Sequence, residues 1–478
     1  MKMIEYGGYL PPEARTMDIA NRVLTFQQGE EELEIHMPYP SSEQLTQLTK
    51  MIKASPIQCL HTTDLMKAID KTVHLLLDRT HPLRQKAEKL LPIITGYNAE
   101  VVRLGLTQSL QTFREHELRR WLNVNFQQPH ILDQFEPTSH GGFTKAISPQ
   151  LTTHIWAGNV PGLPLWSFIA SLLVKGGVVG KVASAEPFFI GLFCQVLAEV
   201  EPRLANAMAI VSWQGGDQAR EKALFRASDV VVGYGTNQTI INLQAQIVAP
   251  TRFISFGHKL SFGLLLREAL DHQKSEKFAD QAALDIVRYD QQGCYSPQTF
   301  FVERRGRTTP KEWAELLARK LQVYEERYPL RKLSMEEASE RIAWRDAKEW
   351  QESAQVFSSK VSAWMVAYEE KLSLEPSPLS RTVHVIAVDD WQEVLDVLQD
   401  KRDILQTVGV GASVENLFAV ATAFSRYGIT RVTSIGRMTK LHPGWHQDGY
   451  SLLRELVQLI DIDPATIRDL EALNTYTD

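Results

Sequence analysis

Short apolar runs alternate with helical segments from about residue 150 to residue 256. This alternation predicts a parallel β-sheet with helices on both faces. Such sheets bind ligands outside the carboxyl ends of their strands, so the residues that follow each strand are the first candidates for a site. The predicted strands are His154–Ala157, Val178–Val182, Ala207–Trp213, Val230–Gly233 and Arg252–Ser255, with helices over Leu165–Val174 and Pro187–Glu199.

The chain is long enough to bury more than one core. Its 478 residues predict two to four domains, and 44% hydrophobic with 23% charged residues is typical of a soluble globular protein. The net charge of −6 gives no electrostatic basis for nucleic acid as the main partner. The N-terminus has no signal-peptide pattern, and the apolar stretch Val160–Val174 is interrupted by prolines and glycine, so no membrane span is expected. We therefore expect a cytoplasmic protein.

The two ends of the chain differ from its centre. Apolar residues at helical spacing predict a mainly helical first 130 residues, and proline and charge patterns predict a second α/β unit in the last third. The predicted N-terminal helices are 42–54 with Ser41 or Ser42 as N-cap, 64–78 with Thr63 as N-cap, 83–91 closed by Pro92, and 101–124. In the last third we predict helices over 311–328, 335–372 and 452–460 and a strand over 383–388.

The chain has three cysteines, which fit a reducing compartment and exclude a disulfide framework. They lack CxxC spacing, so no metal site is expected. Cys194 lies in an apolar helical segment and is expected to pack as a small hydrophobe. Cys59 has His61 nearby but no other local support for a role. Cys294 is a candidate nucleophile, because Gly293 precedes it in a polar stretch whose amides and hydroxyls stabilise a thiolate.

Three further motifs follow predicted strands. Ala157-Gly-Asn-Val-Pro-Gly is either a plain turn or a loop that presents the Asn159 amide to a developing oxyanion. Lys181 ends the next strand, with Ser184 three residues on, and is either an ordinary exposed lysine or a ligand for phosphate or ribose. In Val231-Val-Gly-Tyr-Gly-Thr-Asn, Gly233 and Gly235 precede a helix whose N-terminus suits a phosphate, although a GxGxxG fingerprint is absent.

Together and in this order, these motifs resemble the aldehyde dehydrogenase superfamily. Within it, the chain is most similar to the acyl-CoA reductases typified by the LuxC fatty acid reductase of bacterial bioluminescence. The resemblance spans roughly residues 145 to 460 and is weaker over the first 130. Besides the motifs above, it rests on Phe256-Gly-His-Lys-Leu-Ser-Phe, Asp290-Gln-Gln-Gly-Cys-Tyr-Ser and Leu441-His-Pro-Gly-Trp-His-Gln-Asp-Gly.

The resemblance implies an aldehyde dehydrogenase-like α/β fold. We expect a helical N-terminal segment at 1–130 that packs on or completes the cofactor domain, and a Rossmann-type, parallel-sheet NADP-binding domain at 131–262. A second α/β catalytic domain is expected at 263–440, followed by a C-terminal segment at 441–478.

The resemblance also assigns roles. Cys294 falls on the nucleophile, and Asn159 falls on the asparagine that forms the oxyanion hole with the Cys294 backbone N–H. Lys181 and Ser184 fall on the pair that contacts the adenosine ribose. Because Ser184 replaces the glutamate of NAD-preferring relatives, which would repel a 2′-phosphate, NADP is the expected cofactor.

Four more residues are assigned to the cofactor site by position. Gly233 falls on the glycine that lets the cofactor pyrophosphate approach, and Tyr234 follows it. Gly257 and His258 belong to the Phe256 motif, although His258 could equally face solvent.

Two positions depart from the superfamily pattern. Ser255 replaces the glutamate that activates water in hydrolytic aldehyde dehydrogenases, which favours reduction of an acyl-enzyme over its hydrolysis. The glutamate that orients the nicotinamide ribose is also absent, since its place falls near Ser377, with Glu375 as a candidate substitute.

The expected activity is NADPH-dependent reduction of a fatty acyl thioester, acyl-CoA or acyl-protein, to the aldehyde through a thioacyl intermediate on Cys294. Two alternatives are an aldehyde dehydrogenase that forms acid or acyl-CoA and a catalytically silent binding or scaffolding subunit. A cysteine hydrolase is disfavoured because His154 and His258 lack the local context of a Cys-His pair. The resemblance also implies a homo-oligomer, a dimer or tetramer, and an acyl-protein synthetase or acyl-transferase partner.

Overall fold

A computed structural model describes residues 2–474, which form two compact units. Of these residues, unit one comprises 2–94, 106–256 and 442–474, and unit two comprises 95–105 and 257–441. The four-segment division expected above stays a prediction. By its contacts, however, the C-terminal stretch groups with the residues of the expected cofactor domain.

Unit one begins with a small sheet of three strands. Strand β3 lies in the middle, parallel to β1 and antiparallel to β2. The prediction of a mainly helical N-terminus is therefore wrong for this stretch. Alternate residues Leu33, Ile35 and Met37 are buried, which is the period of two that a strand requires. The strands are β1 (Lys2–Tyr6), β2 (Asn21–Gln28) and β3 (Glu31–Pro38).

Helices follow from residue 42, as predicted, with corrections at their ends. Ser41 is the N-cap of the first helix and forms a capping box with Gln44. The second begins at Thr62 rather than after Thr63, because the Asp133 carboxylate accepts the Thr62 N–H at 3.0 Å. Pro92 lies inside the third helix instead of closing it. The helices are α1 (Ser42–Lys53), α2 (Thr62–Leu77), α3 (Pro82–Thr95), α4 (Ala99–Gln111) and α5 (Glu115–Asn125), so the predicted 101–124 helix is two helices.

The predicted parallel sheet forms the centre of unit one. Its strand order is β10-β9-β6-β7-β8 and all of its strand pairs are parallel. The strands are β4 (Glu136–Pro137), β5 (Phe143–Ile147), β6 (Leu151–Ile155), β7 (Gly177–Lys181), β8 (Met208–Val211), β9 (Val230–Tyr234) and β10 (Arg252–Phe256), of which β4 and β5 lie outside this sheet. The helices are α6 (Leu165–Leu173), α7 (Phe189–Val200), α8 (Gln218–Ala227) and α9 (Asn237–Gln244).

The N-terminal residues cover the edge of this sheet at β8. Tyr9 and Ile210 exchange backbone hydrogen bonds at 3.0 and 2.7 Å, and the Ser212 N–H donates to the Pro38 carbonyl at 3.0 Å. An open strand edge leaves backbone groups without partners, and these contacts satisfy them. The small N-terminal sheet is thereby attached beside the carboxyl end of β8.

Unit two is built on a seven-stranded sheet of order β13-β14-β15-β12-β11-β16-β17, parallel except for the β13–β14 pair. The prediction of one helix over 335–372 is wrong after Glu349, because residues 354–369 form two antiparallel strands and β14 is buried throughout. The strands are β11 (Leu260–Leu265), β12 (Pro297–Glu303), β13 (Ala354–Ser358), β14 (Met365–Glu369), β15 (Thr382–Val388), β16 (Leu405–Gly411) and β17 (Arg431–Ser434). The helices are α10 (His272–Val287), α11 (Pro310–Arg327), α12 (Met335–Glu349), α13 (Val394–Leu398) and α14 (Val414–Ser425).

The C-terminal stretch returns to unit one. The predicted 452–460 helix ends early, at α15 (Leu452–Leu456), and is followed by β18 (Gln458–Ile462) and α16 (Pro464–Asn474). Strand β18 forms because it pairs antiparallel with β5, in a three-stranded sheet of order β18-β5-β4. Over residues 2–474, no helix is both long and apolar enough to cross a membrane.

Candidate active site

Cys294 lies in unit two, in a loop between α10 and β12, and is partly exposed. The backbone just before it takes a rare form. Tyr289, Asp290 and Gln291 have φ of 50, 49 and 65°, in the left-handed region that non-glycine residues seldom adopt. Such a run persists only where surrounding contacts determine it, so its contacts define the position of the thiol.

Asp290 is held by a buried ion pair. The Arg381 guanidinium is 1% exposed and donates through Nε to Asp290 Oδ1 at 2.7 Å. Arg381 also donates to Glu325 Oε2 at 2.5 Å, so its charge is balanced on both sides. The backbone N–H of Ser380 donates to the Asp290 carbonyl at 3.0 Å, and that of Arg331 donates to Oδ2 at 3.3 Å.

Gln291 joins the same loop to a second left-handed run. Leu379, Ser380 and Arg381 have φ of 58, 50 and 64°. The Gln291 side chain accepts the Thr382 N–H at 2.8 Å and donates to the carbonyls of Thr382 and Pro297 at 3.2 and 2.8 Å. Two strained segments thus stabilise each other through a buried amide.

Tyr289 packs under the loop against residues 95–105. Its ring meets that of Tyr97 edge to face at 5.4 Å, and the Tyr97 hydroxyl donates to the Tyr289 carbonyl at 3.4 Å. A Cβ on Gly105 would lie 1.8 Å from the Tyr289 hydroxyl oxygen. Gly105 therefore makes room for the tyrosine that supports the loop.

The backbone of Cys294 itself is fixed to the sheet. Ser261 on β11 donates its hydroxyl to the Cys294 carbonyl at 2.7 Å and accepts the Thr407 N–H at 3.2 Å. The Ser296 N–H donates to the Gly293 carbonyl at 2.9 Å, closing a turn around the thiol. A Cβ on Gly293 would lie 2.5 Å from the Tyr295 ring, which explains the glycine before the cysteine.

A buried arginine interacts electrostatically with Cys294. Arg431 donates to the carbonyls of Met438, Arg437 and Lys440 at 2.6, 3.0 and 2.8 Å. Burial lowers the pKa of Arg431 to about 10, while the charges of Asp285, Tyr295 and Cys294 act in the opposite direction. The guanidinium remains charged at neutral pH, and a positive charge near a thiol favours the thiolate.

The prediction that Cys194 packs as a small hydrophobe is confirmed, and His154 and Cys59 lie in different surroundings from it. Cys194 is fully buried in α7, where burial raises the pKa of its thiol well above the usual value. His154 is fully buried and stacks on Trp156 at 5.1 Å, and burial lowers its pKa to about 3, so it is a neutral core residue. Cys59 is exposed.

In unit one, the loops after β6 and β7 pack together. Asn159 is partly buried in the β6–α6 loop. A Cβ on the preceding Gly158 would lie 2.9 Å from both the Ala183 Cβ and the Glu186 nitrogen, so this glycine allows the close approach. The Asn159 loop and the loop that carries Ser184 therefore meet at the carboxyl end of the sheet.

Lys181 ends β7 with a partly exposed side chain, and burial lowers the pKa of its ammonium. Within residues 2–474, no carboxylate lies within 4.0 Å of it. Ser184 is exposed three residues further on. A desolvated cation without an ion-pair partner suits an anionic ligand, so these residues fit a phosphate-bearing cofactor.

Gly233 has a packing reason for being glycine, and its contact with the cofactor pyrophosphate stays a prediction. A Cβ there would lie 2.9 Å from the Phe253 ring and 3.1 Å from Leu243, so protein packing already requires its absence. Tyr234 ends β9 and stacks on Phe256 at 4.9 Å. Gly257 and His258 follow β10 directly and are the first residues of this stretch of unit two.

Known proteins share the sequence pattern and the fold of this chain. The sequence model of the acyl-CoA reductase (LuxC) family matches residues 57–459. The chain belongs to the LuxC acyl-CoA reductase family.

Relatives named long-chain acyl-protein thioester reductase are similar to this LuxC-family chain over most of its length. That of Photorhabdus laumondii is 27% identical over 342 residues, covering 69% of this chain and 67% of the relative. That of Vibrio harveyi is 22% identical over 419 residues, covering 86% and 85%.

Solved structures establish the fold. Aldehyde dehydrogenase 21 from Physcomitrella patens superposes with a TM-score of 0.74 at 12% identity, covering 96% of this chain and 98% of its own. An NADP-dependent glyceraldehyde-3-phosphate dehydrogenase from Bacillus halodurans, complexed with NADP, has a TM-score of 0.73 at 12% identity, covering 96% and 99%. The expected aldehyde dehydrogenase-like fold is confirmed.

The two departures of this LuxC-family chain can now be located. Ser255 is exposed on β10, paired with Gly233 of β9. Ser377 is buried, and its N–H donates to the Gln298 side chain at 2.9 Å, whereas Glu375 is exposed. Ser377, near which the missing glutamate is expected, therefore has a structural role through its hydrogen bond to Gln298.

Sequence reasoning missed the residues that hold the nucleophile loop, which comprises residues 288–296 between α10 and β12. Arg381 and Gly105 are distant from Cys294 in the chain and lie in no recognisable motif, whereas Ser261 lies in the Phe256 motif but had no role assigned to it. Asp290 and Gln291 were within the quoted motif, but only the structure assigns their contacts.

Proposed function

We propose that this protein reduces a fatty acyl thioester to the aldehyde, with NADPH as reductant and Cys294 as nucleophile. Membership of the LuxC acyl-CoA reductase family supports the reaction class, and relatives named long-chain acyl-protein thioester reductase support a long acyl chain. The observation that carries the proposal is Cys294 itself, a partly exposed thiol at the end of a tightly held, strained loop.

In the proposed reaction, Cys294 supplies the nucleophile and a nicotinamide cofactor would supply the two electrons. The Cys294 thiolate attacks the thioester carbonyl, and the new C–S bond forms as the carrier leaves as its thiolate. A nicotinamide cofactor, when bound, would supply the hydride that reduces the acyl carbon. The resulting tetrahedral alkoxide re-forms its C=O bond as its C–S bond to Cys294 breaks, which releases the aldehyde and regenerates the Cys294 thiolate.

Two groups stabilise charge in this scheme. Asn159, in the role that the sequence resemblance gives it, donates its side-chain amide to the oxyanion. Arg431 favours the thiolate before attack and after product release. Ser255 supplies no carboxylate base for water, which extends the lifetime of the acyl-enzyme.

NADPH is proposed as the cofactor on two grounds. Lys181 is a desolvated cation at a strand end, and Ser184 adds no negative charge beside it. A fold neighbour was solved in complex with NADP. Acyl-CoA and acyl-protein are both proposed as substrates. The family is named acyl-CoA reductase, whereas the relatives are named long-chain acyl-protein thioester reductase.

We also propose a homo-oligomer and an acyl-transferring partner protein, as the resemblance implies. Strand β18 lies at the edge of its sheet, with Leu459 and Ile460 56% and 45% exposed, which supports association with a second copy. Light scattering of the purified protein tests the assembly.

The purified protein, mixed with NADPH and either acyl-CoAs of increasing length or an acylated carrier protein, tests the reaction. We expect NADPH to be oxidised in the same molar amount as aldehyde is formed.

Cys294→Ala should abolish turnover, and Asn159→Ala should lower it about 100-fold or more, the usual effect of removing one oxyanion donor. Cys194→Ala is the matched control and should retain turnover. Full activity in Cys294→Ala would refute the mechanism, and acid formed from aldehyde without coenzyme A would favour the oxidative alternative.

A further inference from the structure

The small N-terminal sheet brings a second cation to the strand end that carries Lys181. Arg22 on β2 donates through Nη1 to the Ser212 hydroxyl at 3.3 Å. Ser212 directly follows β8, and β8 pairs with β7 so that Val211 lies opposite Lys181. Arg22 is thus held at the carboxyl ends of the two neighbouring strands.

The position of Arg22 is built into the fold. Ser212 is fully buried, and its N–H donates to the Pro38 carbonyl at the end of β3. Strand β2 pairs with β3, with Arg22 opposite Met37. The same contacts that cover the β8 edge therefore fix where the guanidinium points.

The two cations repel each other, and the structure offers them little compensation. Arg22 disfavours the charged form of Lys181, in addition to the effect of burial. Within the described residues 2–474, neither side chain has a carboxylate within 4.0 Å.

The carboxylates nearby already have other partners. Glu221 favours the charge on Lys181, but its two oxygens accept from the Gly216 N–H and the Gln246 amide at 3.2 and 2.7 Å. Asp217 is paired with Arg220. Two cations that lack a protein counter-ion at the ligand-binding edge of a parallel sheet indicate an anion site.

We propose that Arg22, positioned by the buried Ser212 hydroxyl, and Lys181 bind the phosphate on the adenosine ribose of NADPH. The inference rests on the proposed function for its cofactor, and it gives the N-terminal sheet a part in cofactor choice. The planar guanidinium supplies paired donors to phosphate oxygens, and the lysine supplies a point charge.

Adenosine bearing a ribose phosphate has two sources here, because NADPH carries it at the 2′ position and coenzyme A at the 3′ position. The site lies on the sheet of unit one that carries the cofactor motifs, so the 2′-phosphate is the expected occupant. Isothermal titration with adenosine 2′,5′-bisphosphate, adenosine 3′,5′-bisphosphate and AMP separates the two without any acyl substrate or turnover.

We expect wild-type protein to bind the 2′,5′-bisphosphate more tightly than AMP. Arg22→Gln should weaken the 2′,5′-bisphosphate by on the order of 10- to 100-fold, the effect of losing a charge-assisted hydrogen bond. AMP affinity should change less than twofold. Arg22→Lys, which keeps the charge and the fold, should show an intermediate loss. The exposed Arg226 on α8 gives the charge-matched control Arg226→Gln, which should bind as wild type does.

Unchanged binding of the 2′,5′-bisphosphate in Arg22→Gln would overturn the proposal. An equal loss for AMP would also overturn it, and so would a loss confined to the 3′,5′-bisphosphate, which would assign the site to coenzyme A. Steady-state kinetics distinguish failure of the proposed function from failure of the proposed phosphate site. Wild-type protein that binds as expected but reduces no acyl thioester refutes the proposed function alone, whereas active protein with the same NADPH and NADH preference in Arg22→Gln refutes this inference alone.

Discussion

The nucleophile loop and the strand end at Lys181 differ in whether their cations have ion-pair partners within the protein. In the loop, the Arg381 guanidinium is balanced by Asp290 and Glu325, so the charges are satisfied within the protein and fix a strained backbone. At the strand end, Lys181 and Arg22 have no carboxylate within 4.0 Å among residues 2–474. Charges that are paired internally hold structure, whereas cations left without counter-ions at a ligand-binding edge are available to a ligand.

Breaking the paired cluster should have the largest effect on stability. Arg381→Met leaves the buried Asp290 and the partly exposed Glu325 without their partner, and we expect a loss of about 3–5 kcal/mol in the free energy of unfolding. Urea unfolding followed by tryptophan fluorescence measures it. The exposed Arg345–Asp346 pair provides the control, since Arg345→Met should cost less than about 1 kcal/mol. Equal losses in the two variants would contradict the role given to Arg381.

The support under the loop should give a smaller effect. Gly105→Ala places a Cβ against the Tyr289 hydroxyl, and we expect a loss of about 1–3 kcal/mol from overpacking. Adding Tyr289→Phe removes the nearest atom and should recover part of it. Gly215→Ala is the control, because nothing lies within 4 Å of the added carbon. If Gly215→Ala were as costly, the glycine backbone rather than the Tyr289 contact would be the cause.

Removing a cation from the strand end should have the smallest effect and the opposite sign. The lowered pKa of Lys181 means that the folded protein holds this charge at a cost at neutral pH. We expect Lys181→Met to raise the free energy of unfolding by less than about 1 kcal/mol while weakening NADPH binding. The gain should shrink as the pH rises from the lowered pKa towards 10.5, where wild-type lysine loses its proton in both states. A marked destabilisation at pH 7 would show that Lys181 is part of the structural framework.

Much of this arrangement was predictable because it is local in sequence. The short apolar runs located most strands of the central sheet to within a few residues, and the glycine before Cys294 marked the thiol that the loop presents. The strands β1, β2, β3, β13 and β14 were missed, although β2 pairs with β3 and β13 pairs with β14 only a few residues away in the chain. Another error has its cause in a partner that is distant in the chain. Strand β18 is strand rather than helix because it pairs with β5, more than 300 residues earlier.

The residues of the candidate site also fall into those that the sequence predicted and those that only the structure revealed. The sequence by itself determined the α/β class, the family resemblance and the candidates Cys294, Asn159, Lys181 and Ser184, since motifs at strand ends carry those signals. Only the tertiary structure decided how the nucleophile loop is held and which cations lack partners. The reason is physical. The ion pair with Arg381 stabilises the strained backbone at Asp290, and the charge of Arg22 acts on the ammonium of Lys181. Both contacts join residues whose spacing in the chain contains no information about their distance in space.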